Sequence, residues 1–245
     1  MDLASNTVLI TGGASGIGLG LAERFLAAGS DVIVCGRRAE KLQELKTRHP
    51  HVKTLVCDLS RAADRQMLFA WVTREHPGMN VLVNNAGIQR YPNLVAPSET
   101  DADGIAEEIA INFEAPVHLS MLFAPHLAAV RHPAIINVTS GLSFVPLARA
   151  PVYSATKAAL HSFTLSLRHQ LKNTPIRVIE ILPPAVDTDL GGPGLHTFGV
   201  KLDAFLDHTM PKLAAGDLEI SYGFATEAAH GSRADLQNIF ERMNK

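Results

Sequence analysis

Two titratable side chains stand four residues apart in the stretch "PVYSATKAALHSF": Tyr153 and Lys157. The stretch reads as a helix, with Ala158, Ala159, Leu160 and Phe163 available to pack. On a helix, that spacing puts the phenol and the ammonium on one face. Isolated, they titrate near about 10 and about 10.4. An adjacent positive charge favours phenolate over phenol and lowers the tyrosine pKa. A phenol tuned toward working pH can give a proton to an alkoxide or take one from an alcohol. The plain alternative is an exposed i, i+4 pair worth about 0.2–0.5 kcal/mol.

A second chemistry-bearing stretch is "TGGASGIG", Thr11 to Gly18. Gly12, Gly16 and Gly18 would let the backbone turn sharply and approach a pyrophosphate, with Ser15 and Ile17 between them. The amino end of the following helix adds N–H groups and partial positive charge. A flexible turn is the structural alternative. The position between an apolar strand and a helix favours the nucleotide.

The elements that must hold these groups alternate along the chain. "TVLIT", "DVIVC", "VKTLVC", "NVLVNN", "AIINVTS" and "IRVIEIL" read as strands, at 7–11, 31–35, 52–57, 80–85, 134–140 and 176–182. Helices are predicted at 16–29 (closing on Gly29), 38–49, about 61–76, about 101–130 and from Tyr153 to about 173. Near-continuous apolar strands separated by helices imply a parallel sheet covered on both faces. Right-handed crossovers make it a doubly wound, Rossmann-type α/β sheet of about seven strands in a single domain. Ligands of such sheets bind beyond the carboxyl ends of the strands. A long irregular stretch, "PPAVDTDLGGPGLHTFG", begins at Pro183 and suggests a substrate loop over about 183–215. The end of the chain reads as a strand near 218–222 and an amphipathic helix near 232–243, a tail placed either over the substrate or at a subunit contact.

The spacing TGxxxGIG, with further motifs in order over roughly residues 5–190, resembles the short-chain dehydrogenase/reductase family of the classical type. The motifs are "NNAG" at Asn84 to Gly87, Asn112 in "AINFEAP", Ser140 in "NVTSG", and "YSATK". The resemblance implies an oxidoreductase in which Tyr153 is the general acid/base and Lys157 both tunes it and holds the nicotinamide ribose. Ser140 would hydrogen-bond the carbonyl oxygen, and Asn112 would hold a water linking Lys157 to solvent. Asp58 would hold the adenine amino group, with Leu59 against the ring. Asn85, Ala86 and Gly87 would line the adenosine and ribose, and Val186 and Thr188 would contact the carboxamide. Singly, a serine at a strand end is an ordinary cap and an asparagine in a helix an ordinary core polar group. Together they form a tetrad that a non-catalytic NADPH sensor, the alternative reading, has no need to keep.

The second strand ends in "CGRRAEKL", with Gly36 where NAD-binding sheets place a carboxylate for the adenosine 2′-hydroxyl. Arg37 and Arg38 follow, and two guanidiniums suit a 2′-phosphate. NADP(H) is therefore the expected cofactor. One departure from the family pattern is Pro184, where a glycine is usual; proline fixes φ and lacks a donor. Candidate pocket residues are Leu142, Phe144, Pro184, Leu190, Leu195 and Phe198, with Arg149 and His196 nearby. They imply a mostly apolar ketone, diketone, aldehyde or matching alcohol.

The bulk composition excludes other classes. The 245 residues are 47% hydrophobic with a net charge of −2, and no basic stripe suggests nucleic acid. No apolar run approaches the roughly 20 residues of a membrane span, and "MDLASNTVLITGG" lacks a signal-peptide pattern. Cys35 and Cys57 make no disulfide framework or metal site. The expectation is a cytoplasmic protein without metal. The family habit implies a homodimer or homotetramer.

Overall fold

The computed structural model describes residues 1–98 and 101–245. Among the described residues, seven strands form one sheet in the order β3-β2-β1-β4-β5-β6-β7, every neighbouring pair parallel. They are β1 (Thr7–Thr11), β2 (Asp31–Gly36), β3 (Lys53–Val56), β4 (Val81–Asn84), β5 (Ala134–Val138), β6 (Arg177–Leu182) and β7 (Glu219–Ser221). Between them run α1 (Gly16–Ala27), α2 (Ala39–Arg48), α3 (Ala62–Glu75), α4 (Asp101–Ile109), α5 (Ala115–Leu127), α6 (Pro151–Gln170) and α7 (Leu202–Ala215); α8 (Phe224–His230) and α9 (Arg233–Met243) end the chain. No helix among the described residues is long and apolar enough to cross a membrane.

The apolar strand runs are explained by two separate cores. Val8 and Ile10 face one side with Phe25, Phe205 and Leu206. Leu9, between them, faces the other with Leu68, Leu119 and Phe123. Alternate residues of a strand point to opposite faces, so a sheet covered on both faces needs apolar side chains at every position.

The substrate loop expected over 183–215 is shorter than that. Its second half is α7, whose buried Phe205, Leu206, Thr209, Met210 and Leu213 follow a helical period and pack onto α1. A Cβ on Gly20 would lie 2.2 Å from Leu206 Cδ1, so the two helices need a glycine at their contact. Pro211, inside the helix, hid it from the sequence, because proline removes a backbone hydrogen bond. The helix ends on Gly216 at φ 93, the left-handed conformation glycine adopts freely. The loop proper is pinned at its neck. Asp187 N donates to Val200 O at 2.8 Å and Val200 N to Ala185 O at 2.9 Å.

The helix expected over about 101–130 is α4 and α5 joined by a π-helical turn at Ala110–Glu114. Such turns often mark functional positions, and this one contains Asn112. The tail folds back: α9 starts at a capping box between Ser232 and Asp235, and Ile239 is buried against Val145 and Ala228. Asn244 closes it, donating to Pro146 O at 3.1 Å and accepting from Ala148 N at 2.6 Å. It therefore rests on the segment between β5 and α6.

Candidate active site

One cleft of about 1500 Å³ runs along the carboxyl ends of the strands. A typical small-molecule pocket holds about 300–1,000 Å³, so this one has room for two ligands. At one end lie Gly12, Ser15, Gly16, Ile17, Arg37, Arg38 and Leu59, and at its centre Asn85, Ala86, Gly87, Ser140, Tyr153 and Lys157. Leu142, Pro184, Val186, Thr188, Leu190 and Phe198 line the rest, with Met243, Asn244 and Lys245 from the tail. The tail thus borders the cleft.

The glycine turn is built by contact. Gly12 has φ +65, and a Cβ there would lie 2.9 Å from Ala86 Cα. Gly18 does not line the cleft; a Cβ there would lie 2.3 Å from Asn85 Nδ2. Its role is to let α1 pack against the end of β4, where Asn85 Nδ2 donates to Thr11 O at 2.9 Å. Arg38 reaches back across the turn and donates to Ser15 Oγ at 2.7 Å. Arg37 pairs with Glu107 of α4, which also pairs with Arg90. Asp58 lies just behind the lining. Burial alone would raise its pKa, but hydrogen bonds from Ser60 and the charges of Arg37 and Arg61 bring it below the usual value.

Lys157 is buried and donates to Val138 O at 2.8 Å. Burial lowers its pKa to about 8. Tyr153 is 7% exposed. In the protein alone the phenol is not brought down toward working pH as the helical spacing suggested. Burial is the largest influence and pushes the phenol well above its ordinary value. The Glu108 carboxylate pushes it further, and a hydrogen bond with Ser140 opposes both. Desolvation disfavours the charged phenolate, and it sets the direction here. Ser140 Oγ also accepts from Leu142 N at 3.1 Å and starts a short 3₁₀ turn, Gly141–Ser143.

Asn112 spends its amide within the chain. Oδ1 accepts from Ile88 N at 2.9 Å, and Nδ2 donates to Ile88 O at 2.8 Å and to Thr156 Oγ1 at 3.2 Å. The side chain thereby fixes the segment after β4 against α6. A Cβ on Gly87 would meet Asn112 Oδ1 at 3.4 Å and Lys157 Nζ at 3.8 Å, which places Asn112 and Lys157 around one point of the cleft wall.

Two expected pocket residues lie elsewhere. Phe144 packs against His161 at 4.6 Å between ring centroids and joins the core under α9, because the tail offers it an apolar surface. Leu195 is 43% exposed at the loop tip. The sequence reading passed over Gln89, Tyr91 and Glu108. Gln89 lines the cleft and is buried. Tyr91 lies under Arg149, the guanidinium carbon 5.4 Å from the ring centroid. Glu108 is wholly buried one helical turn before Asn112; its Oε1 accepts from Arg90 N at 3.1 Å, and burial raises its pKa to about 7. A carboxyl in the register of Asn112 was the available signal.

Residues 6–195 match the family model described as short chain dehydrogenase. An uncharacterized oxidoreductase, DltE, of Bacillus subtilis (strain 168) is 46% identical over 250 residues, covering 100% of this chain and 98% of that protein. A short chain dehydrogenase from Burkholderia cenocepacia J2315, solved in complex with NADP, superposes with a TM-score of 0.85 at 27% identity, covering 100% of both chains. One from Sphingobium yanoikuyae in complex with NADPH gives 0.81 at 29% identity over 95% of each. With seven parallel strands, a glycine turn after the first and a buried Tyr153–Lys157 pair at the cleft centre, the chain belongs to the short-chain dehydrogenase family of oxidoreductases acting on alcohol and carbonyl groups.

Proposed function

We propose that this enzyme uses NADP(H) to interconvert a carbonyl and an alcohol on a small molecule with a mostly apolar body. The carrying observation is the buried Tyr153 phenol, with Ser140 beside it, in the same cleft as the glycine turn and Arg38. The cleft fits the dinucleotide: the positive φ at Gly12 and its contact with Ala86 leave bare backbone beside the α1 amino end, a cradle for phosphate. When bound, the cofactor supplies or accepts the hydride.

The chain's own residues would do the rest. Gly12, Ser15, Gly16 and Ile17 hold the pyrophosphate, and Arg38 and Arg37 the 2′-phosphate. Asp58 and Leu59 receive the adenine, Asn85 to Gly87 line the adenosine and ribose, and Lys157, Val186 and Thr188 take the nicotinamide half. Ser140 donates to the carbonyl oxygen, stabilising charge as it develops. Tyr153, kept neutral by burial, gives that oxygen its proton during reduction; in oxidation the phenolate takes the alcohol proton. Lys157 beside it returns the proton toward solvent. Leu142, Pro184, Leu190 and Phe198 exclude water around the reacting carbon. Exposed Met121 on α5 and Leu165 on α6 support a homo-oligomer joined through those helices.

The test is a screen of ketones, diketones, aldehydes and alcohols followed by NADPH absorbance, with Tyr153→Phe alongside. Turnover that vanishes in the variant is the expected result. Cofactor binding with no turnover of any carbonyl or alcohol would favour the sensor reading.

A further inference from the structure

Helix α6 meets the sheet through polar side chains, turn after turn. Lys157 Nζ donates to Val138 O at 2.8 Å, and His161 Nδ1 stands 2.9 and 3.0 Å from the two side-chain oxygens of Glu180. Thr164 Oγ1 accepts from Asn137 Nδ2 at 2.9 Å, and Arg168 Nε donates to Val178 O at 3.0 Å. Positions 157, 161, 164 and 168 follow the helical period, and their partners all belong to β5 and β6. α1 and α5 instead turn Leu21 and Phe25, and Leu119 and Phe123, into the two apolar cores. Apolar burial is non-directional, whereas a hydrogen bond weakens steeply when its angle is lost. A polar seam therefore limits how far α6 can slide or turn on the sheet.

One member of the seam reaches further. Glu180 of β6 is 0% exposed. Besides His161 it meets Thr139, whose Oγ1 donates to Glu180 Oε1 at 2.7 Å; Ile181 O is a longer 3.3 Å away. Thr139 directly precedes Ser140, and its own N–H donates to Ile181 O at 2.9 Å. His161 follows Lys157 by one helical turn. A single buried carboxylate is thus bonded on one side to the chain neighbour of Ser140 and on the other to the helix that carries Tyr153 and Lys157.

A carboxylate only accepts, so His161 Nδ1 is the donor. The hydrogen bond with Glu180 raises the His161 pKa against the opposing effect of burial. Phe144 covers the imidazole, with 4.6 Å between ring centroids. Taking such a pair out of water costs about as much as its attraction returns. The geometry it fixes explains it better than stability does.

We infer that Glu180 is a positioning residue for the reaction: its carboxylate holds Thr139, and through it Ser140, in register with the turns of α6 that carry Tyr153 and Lys157. This rests on the reading of Tyr153 and Ser140 as the groups that face the reacting oxygen.

Glu180 stays intact in the test, because a change in its charge would act on Tyr153 directly. The readout is the Tyr153 titration in the NADP⁺ complex, followed by ultraviolet difference against Tyr153→Phe in the same background. Ser140 beside the phenol lowers its pKa, so a displaced serine raises it. Thr139→Val removes the hydroxyl and should move the titration up by about half a unit or more. Thr139→Ser keeps the hydroxyl and should titrate as wild type. His161→Leu should also move it up. The double variant Thr139→Val/His161→Leu should move no further than the larger single one, because both act through one carboxylate. NADPH affinity is the folding control, and if His161→Leu does not fold, the two Thr139 variants decide. With acetophenone as the probe, kcat should fall about tenfold in Thr139→Val with KM little changed, the scale of a small misplacement, and recover in Thr139→Ser. A wild-type titration in Thr139→Val, failure of Thr139→Ser to restore it, or shifts that add in the double variant overturn the inference. Shifted titrations with no turnover of any carbonyl or alcohol in the screen leave the hold of Glu180 on the pair standing and overturn the carbonyl/alcohol reading.

Discussion

The ammonium of Lys157 lies over the ring of Tyr153, 5.6 Å from its centroid, and donates to the Val138 carbonyl. The pair shares one buried face of α6, yet burial and Glu108 hold the phenol above its ordinary pKa. In the protein alone, Tyr153 is thus a proton donor in waiting. Phenolate requires a further positive charge, and an oxidised nicotinamide would carry one.

Tyr153→Phe keeps the ring and removes the exchangeable proton. Turnover should fall by about 10² or more, the scale of losing a general acid/base, while NADPH affinity stays near wild type. Ultraviolet difference titration of wild type against the variant should show no Tyr153 phenolate below about pH 10 in the absence of cofactor. With NADP⁺ the transition should move down, because added positive charge favours phenolate. Full activity in the variant would remove Tyr153 from the mechanism.

Glu108 gives a pH dependence whose sign can be worked out. Its folded pKa of about 7 stands above the ordinary 4.5, so the folded chain holds this proton more tightly than the unfolded one. Its contribution to stability is complete below about pH 4.5 and is lost as pH rises through about 7. Glu108→Gln cannot titrate and should lose less stability between pH 5 and 8, a difference on the order of 2 kcal/mol. Denaturant melts at several pH values measure this. Removing the carboxylate should also move the alcohol-oxidation profile to lower pH, since its charge raises Tyr153. Parallel pH curves for both proteins would contradict the assignment.

Cofactor preference should depend on Arg37 and Arg38. NADPH is expected to bind at least tenfold more tightly than NADH, about 1.4 kcal/mol. The double alanine variant should erase that ratio with little change in NADH affinity. Ser15→Ala should weaken NADPH more than NADH, because Ser15 Oγ anchors Arg38. Fluorescence titrations read all six affinities; equal affinities in wild type would refute the assignment.

The loop from Asp187 to Gly199 is expected to close over bound ligands. Its neck is hydrogen-bonded, and Gly191, Gly192 and Gly194 all have positive φ, so movement should be confined to the tip. Lids of this kind exclude water during reaction. Hydrogen exchange at residues 189–198 should slow in a ternary complex while the Asp187 and Val200 amides are already protected without ligand. Unchanged exchange at the tip would argue against closure.

The doubly wound sheet, the glycine turn and the Tyr153–Lys157 face are legible in the amino-acid order. These rest on short-range regularities: strand alternation, glycine spacing and the helical period are all written within a few residues. Most element boundaries agree within two residues for the same reason. What tertiary structure alone decided depends on residues distant in the chain. α7 forms despite Pro211 because its apolar face is buried against α1. Phe144 leaves the cleft because α9 covers it. Gln89 and His196, more than a hundred positions apart, line one cleft only when the loop folds over the segment after β4. The Tyr153 pKa was misjudged from sequence because the helical spacing reveals the neighbouring ammonium but not the desolvation around the phenol, and in a buried site desolvation is the larger effect.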